Sequence, residues 1–153
     1  MEAIRSVGKP LVVVDYAHTP QALESVLATL KVTCSARLYC VFGCGGDRDA
    51  GKRPLMAAVA EQYADEVVLT DDNPRSENSD DIIEQIMCGF KNPSSVLVIK
   101  DRAQAITHAI NAAGADDIVL LAGKGHENYQ LTGNNKIPFS DIQVARDCMG
   151  VTE

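Results

Sequence analysis

Four short segments hold most of the residues that could do chemistry. Asp15, Tyr16, Ala17, His18, Thr19 and Pro20 put a carboxylate and an imidazole just ahead of a helix-starting proline. Gly43, Cys44, Gly45, Gly46, Asp47, Arg48, Asp49, Ala50, Gly51, Lys52 and Arg53 place three glycines within four residues, then three cations. Such glycines let a backbone approach a ligand or take positive φ. Asp71, Asp72, Asn73, Pro74 and Arg75 form a stiff step, because the proline fixes its own φ and biases Asn73 toward an extended backbone. Arg75 would then offer its planar fork, suited to a carboxylate, in a set direction. Gly123, Lys124, Gly125, His126 and Glu127 add a cation, an imidazole and a carboxylate between glycines. Each segment alone also reads as an ordinary turn: Asp15 and His18 as caps, the glycine-rich stretch as a loop with solvated charges, Asn73-Pro74 as a turn beside an exposed arginine. Together they offer cations for carboxylates and carboxylates for an ammonium, the requirements of a zwitterion.

Other chemistries find less support. The GxxxxGK[ST] spacing of a Walker loop is absent, and no GxGxxG follows the first apolar run. The five cysteines form no CxxC pair, and the three histidines are too scattered for a helix-borne metal pair, so reduced, mostly buried thiols are expected and no metal site. Asp101, Arg102 and Gln104 read as an N-cap and helix start. A net charge of −7 disfavours nucleic acid and anionic lipid as partners. No apolar run approaches the roughly 18 residues of a membrane span, and residues 1–10 lack a secretory apolar stretch, so a cytoplasmic chain is expected.

The elements that must carry these segments follow from periodicity. Nearly continuous apolar runs at residues 11–15, 37–43, 66–70, 95–99 and 117–122 have the pattern of strands covered on both faces. Helical spacing appears at 19–32, 54–64, 79–90, 102–113 and 141–149; Leu23, Val26, Leu27 and Leu30 share one face, as do Ile82, Ile83, Ile86 and Phe90. Thr19 before Pro20 is an N-cap signal, and Ser140 with Gln143 has capping-box spacing. At 153 residues this is one domain, α/β and doubly wound, with a mostly parallel Rossmann-like sheet and helices on both faces. In such sheets ligands lie beyond the carboxyl ends of the strands, where the loops after Asp15, Gly43, Thr70, Ile99 and Ala122 should meet.

The strings DYAHTP, FGCGGDRDAGKRPLM, TDDNPR, DRAQAI and GKGHE, in that order, resemble the C-terminal domain of the Mur ligases of bacterial peptidoglycan synthesis. The resemblance runs from about Gly8 to about Gly150, and DNPR is typical of members that add meso-diaminopimelate rather than lysine. It implies an ATP-dependent acid–amino-acid ligase that phosphorylates the D-glutamate carboxylate of UDP-MurNAc-L-Ala-D-Glu and lets the incoming amine attack the acyl phosphate. The diaminopimelate contacts would fall on Arg48, Asp72, Asn73, Arg75, Gly123 and Glu127, and the ATP contacts on Asp15 and His18. It further implies that residues 1–9 end an interdomain linker and 10–153 form the amino-acid-binding domain. The phosphate loop, the Mg2+ ligands and the uridine-nucleotide pocket would belong to domains outside this sequence, leaving this fragment inactive alone. The competing expectation is a free-standing α/β module that binds a nucleotide or an amino acid for regulation.

Overall fold

Side chains alternate between the two faces of a strand, so a strand apolar at every position requires cover on both sides. The computed structural model, which describes residues 1–152, supplies that cover. Its strands are β1 (Glu2–Ile4), β2 (Leu11–Asp15), β3 (Leu38–Phe42), β4 (Glu66–Leu69), β5 (Leu97–Val98), β6 (Ile118–Ala122), β7 (Tyr129–Thr132) and β8 (Asn135–Pro138). The helices are α1 (Pro20–Thr33), α2 (Lys52–Tyr63), α3 (Ser79–Met87), α4 (Arg102–Ala112) and α5 (Asp141–Met149). Val13, Cys40, Phe42, Leu69 and Leu120 face Leu23, Leu27, Met56, Ile82 and Ile86 of the first three helices. Val12, Val14, Val41, Val68 and Leu121 face Ile106, Ile110 and Met149 of the last two.

The six-stranded sheet has the order β1-β2-β6-β3-β4-β5. All pairings are parallel except that of β1 with β2. The chain leaves β2, builds outward through β3, β4 and β5, then returns to insert β6 between β2 and β3. That reversal parts the loops leaving β2, β3 and β6 and opens a crevice at their carboxyl ends.

The doubly wound expectation therefore holds, with local departures. Glu2–Ile4, inside the stretch read as linker, adds an antiparallel edge strand whose Ile4 is buried. The run at 95–99 is not covered on both faces: only Leu97–Val98 is strand, about two-fifths exposed, because it pairs with β4 alone at the sheet edge. Residues 88–90 fall outside α3, and α2 begins at Lys52, ahead of Pro54. Thr19 caps α1 by accepting from the Ala22 N–H at 3.2 Å. Ser140 caps α5 in the same way at 3.2 Å, but the Gln143 amide donates to Asp147 instead of returning to Ser140, so the box is half formed. The short antiparallel pair β7-β8, unexpected from the sequence, stands apart as a second sheet.

Candidate functional site

At the carboxyl edge of the sheet the loops after β2, β3, β4 and β6 surround a cleft of about 470 Å3. Its wall includes His18, Arg48, Asp72, Asn73, Arg75, Gly123 and Glu127, together with Tyr16, Lys52 and Tyr129. The loop after β5 lines a separate hollow with Lys100 and Asp101. Asp15 does not line the cleft; its Oδ1 accepts from the Ala17 N–H at 2.8 Å, as a turn cap would.

The glycine-rich loop after β3 is fastened from below. Arg53, almost fully buried in the first turn of α2, donates to the Gly45 carbonyl at 2.9 Å and to both Glu77 oxygens at 3.1 and 2.9 Å. Those bonds, with the Asp47 N–H, hold the Glu77 carboxyl below its ordinary range. The loop also docks on the DNPR turn, since the Gly46 N–H donates to the Asn73 carbonyl at 2.8 Å. A Cβ at Gly46 would lie 1.8 Å from the Pro74 carbonyl oxygen, so only glycine permits that approach. Arg48 remains exposed at the rim. Burial pushes the thiol of Cys44 up to about 12, which removes it as a nucleophile near neutral pH.

The DNPR turn is buried up to its arginine: Asp72, Asn73 and Pro74 are buried and Arg75 is half-buried. Arg75 takes φ +53, a left-handed conformation uncommon for a residue with a side chain. The hairpin compensates by main-chain bonding, with the Arg75 N–H donating to the Leu131 carbonyl at 3.1 Å and the Gly133 N–H to the Arg75 carbonyl at 2.7 Å. This backbone aims the guanidinium over the glycine-rich loop, where one N–H reaches the Gly46 carbonyl at 2.9 Å. The same nitrogen lies 3.5 Å from the Asn73 carbonyl, and the donors on Nε and the other terminal nitrogen are left for an anion.

Opposite lies the loop after β6. Gly123 has φ +115, and a Cβ there would meet the Asp72 carboxylate at 2.7 Å, so its bare backbone faces that carboxylate. Lys124 is completely buried, and its ammonium donates to Asn73 Oδ1 at 2.8 Å, to the Tyr129 carbonyl at 3.0 Å and to Glu127 Oε1 at 3.4 Å. Asp72 Oδ1 lies 3.7 Å from it. His126 is exposed.

On the remaining side Tyr16 and His18 place their rings 4.5 Å apart, and Lys52 donates to the His18 carbonyl at 2.7 Å. His18 is thus in the cleft while Asp15, expected to share its ligand, holds the turn beneath. Among the described residues no three His, Cys, Asp or Glu side chains gather as a metal set.

Sequence reasoning missed the buried Lys124, the supporting hairpin and Arg102. Asp101 does cap α4, accepting from the Gln104 N–H at 3.0 Å. Arg102, read with it as a plain helix start, is instead fully buried and donates to both Asp141 oxygens at 2.8 Å. It also donates, at 3.1 Å each, to the carbonyls of Asp71 and Ala122, the residues that precede the two central site loops. Burial works against its charge, but the Asp141 carboxylate more than offsets this and keeps its pKa above the ordinary range. The cysteines are all unpaired: two buried, two half-buried, and Cys88 exposed.

Residues 1–125 match the family described as Mur ligase, glutamate ligase domain. The chain belongs to the Mur ligase family. This Mur ligase domain is 54% identical over 149 residues to the UDP-N-acetylmuramoyl-L-alanyl-D-glutamate–2,6-diaminopimelate ligase of Coxiella burnetii, covering 97% of this chain and 30% of that one. A solved structure of a ligase of the same name superposes with a TM-score of 0.93 at 46% identity, over 98% of this chain and 31% of that one. Escherichia coli FolC in complex with ADP superposes with a TM-score of 0.57 at 25% identity, over 75% of this chain and 26% of that one. The domain therefore spans about 30% of the length of the curated relatives it matches.

Proposed function

We propose that this chain is the amino-acid-binding domain of an ATP-dependent cytoplasmic ligase that adds meso-2,6-diaminopimelate to UDP-MurNAc-L-Ala-D-Glu in peptidoglycan synthesis. The observation that carries the reading is the sorting of charge within one cleft, with Arg48 and Arg75 gathered at Gly45 and Asp72 and Glu127 gathered around Lys124. Diaminopimelate carries two carboxylates and two ammonium groups, and a cleft with both signs can orient it end to end. In this reading Arg75 and Arg48 bind carboxylates through planar forks, and Asn73 adds a hydrogen bond. Glu127 and Asp72 hold an ammonium, and Gly123 lets the ligand approach the backbone. The other amine is left free to attack the acyl phosphate formed from ATP and the D-glutamate carboxylate: its nitrogen bonds the carbonyl carbon, phosphate leaves, and the amine gives up a proton. Holding the attacking atom in line is a large part of what a binding domain contributes to such a step.

His18 and Asp15 belong to the nucleotide side of the proposal, His18 beside the ring of Tyr16 and Asp15 by shaping the turn. A relative solved in complex with ADP supports nucleotide binding by the complete ligase. Mg2+ would neutralise phosphate charge during the transfer. In this proposal its ligands belong to the other domains of the complete ligase.

The test is a competition. The complete ligase containing this domain, given ATP, Mg2+, the nucleotide dipeptide and equal diaminopimelate and lysine, should yield a product with the mass of the diaminopimelate adduct. Product carrying only lysine would overturn the reading.

A further inference from the structure

Lys124 is too deeply buried to touch a ligand, yet it bonds two of the residues assigned to the ligand. We propose that Lys124 sets the hydrogen-bond polarity of the amino-acid subsite, fixing Asn73 as a donor to carboxylate and Glu127 as an acceptor for ammonium. The inference rests on the functional reading above and adds to it a positioning residue.

A side-chain amide has an acceptor end and a donor end of nearly the same shape, and its neighbours decide which end faces a ligand. Asn73 Oδ1 accepts from Lys124 Nζ at 2.8 Å and from the Leu131 N–H at 2.9 Å. Both lone pairs of that oxygen are then used, and the amide presents its N–H groups. One of them reaches Glu127 Oε1 at 3.4 Å, and the other is left for a substrate oxygen. A carboxylate can accept from it; an ammonium cannot.

The same lysine sets the charge opposite. It spends its three donors on Asn73, the Tyr129 carbonyl and Glu127, and keeps none for a ligand. It lies between Glu127 and Asp72, with Asp72 Oδ1 at 3.7 Å. Two carboxylates around one ammonium leave a single negative charge, enough for one substrate ammonium. Without Lys124, Asn73 Oδ1 would keep only the Leu131 N–H, and Asp72 and Glu127 would lose the ammonium they share.

The test compares wild type, Lys124→Met, Asn73→Ala and the double variant in the complete ligase, measuring KM for diaminopimelate and for ATP, kcat and thermal melting. Lys124→Met should raise KM for diaminopimelate by about 10–100-fold, the loss expected when a hydrogen bond to a charged group is removed. KM for ATP should not change, whereas a merely structural role would affect both substrates together. The double variant should lose less than the product of the single losses, because the lysine acts partly through Asn73. If Lys124→Met does not fold, Asn73→Asp decides: it keeps the acceptor for Lys124 and Leu131 but has no N–H, and should also raise KM for diaminopimelate. Wild-type turnover of diaminopimelate with KM unchanged in Lys124→Met would overturn the inference and spare the functional reading; KM unchanged in Asn73→Asp, where that decides, would overturn the inference together with the hydrogen bond the functional reading gives Asn73. Equal losses for both substrates, or fully multiplicative losses in the double variant, would overturn it as well. A wild-type ligase that does not use diaminopimelate would overturn the functional reading itself.

Discussion

Glu127 and Arg75 face the cleft with opposite charges, and their substitution should have different consequences. An ammonium is common to lysine and diaminopimelate, so Glu127→Ala should weaken both. The loss should be about 1.5–3 kcal/mol, the range for a hydrogen bond to a charged group, with the preference between the two amino acids unchanged. Steady-state kinetics on both amino acids checks this, and a selective loss of one would reassign Glu127. The residue types in GKGHE announced chemistry, but nothing local told which side chain would point inward. Gly125 takes φ +56 and turns the chain so that Lys124 is buried while His126 faces water. The partner of Lys124 is Asn73, 51 residues earlier, a relation set by the insertion of β6 between β2 and β3 and invisible to any spacing rule.

At the scale of elements, the buried strands and amphipathic helices were legible because periodicity reports burial directly. Elements that bury little were not. The hairpin reads Tyr129, Gln130, Leu131, Thr132, then Asn135 to Pro138, mostly exposed and without clean alternation. The signal that could have found it is Gly133-Asn134, a two-residue turn between short runs. Arg102 was hidden for the opposite reason: a charged residue at a helix start is ordinarily solvated, and here it is locked between α4 and α5 by Asp141. Removing one partner would leave a buried charge without its mate. Asp141→Leu or Arg102→Met alone should therefore cost about 3–5 kcal/mol of folding stability, whereas the two together should be much less damaging than either single change. Denaturant unfolding of the four proteins checks this. Additive losses would mean that the pair does not act as a unit.

For the whole molecule, the chain spans about 30% of the length of the relatives it matches, and the proposed function divides the labour between this domain and the rest of a complete ligase. The chain alone should neither hydrolyse ATP nor form the amide, because the charge stabilisation that phosphoryl transfer needs is assigned elsewhere. Phosphate release and product mass, measured on the rigorously purified chain with all substrates, check this, and turnover would contradict it. The central claim is that this cleft selects its amino acid by the second carboxylate, read by Arg75. Lysine lacks that group and would leave the half-buried guanidinium without an anion; a site built around a polar partner can reject such an analogue by roughly 10⁴–10⁵-fold. The measurement is kcat/KM for both amino acids in the complete ligase, wild type and Arg75→Ala. Truncation should cost diaminopimelate about 2–5 kcal/mol, leave lysine little changed, and so narrow the preference; an unchanged ratio would contradict the account.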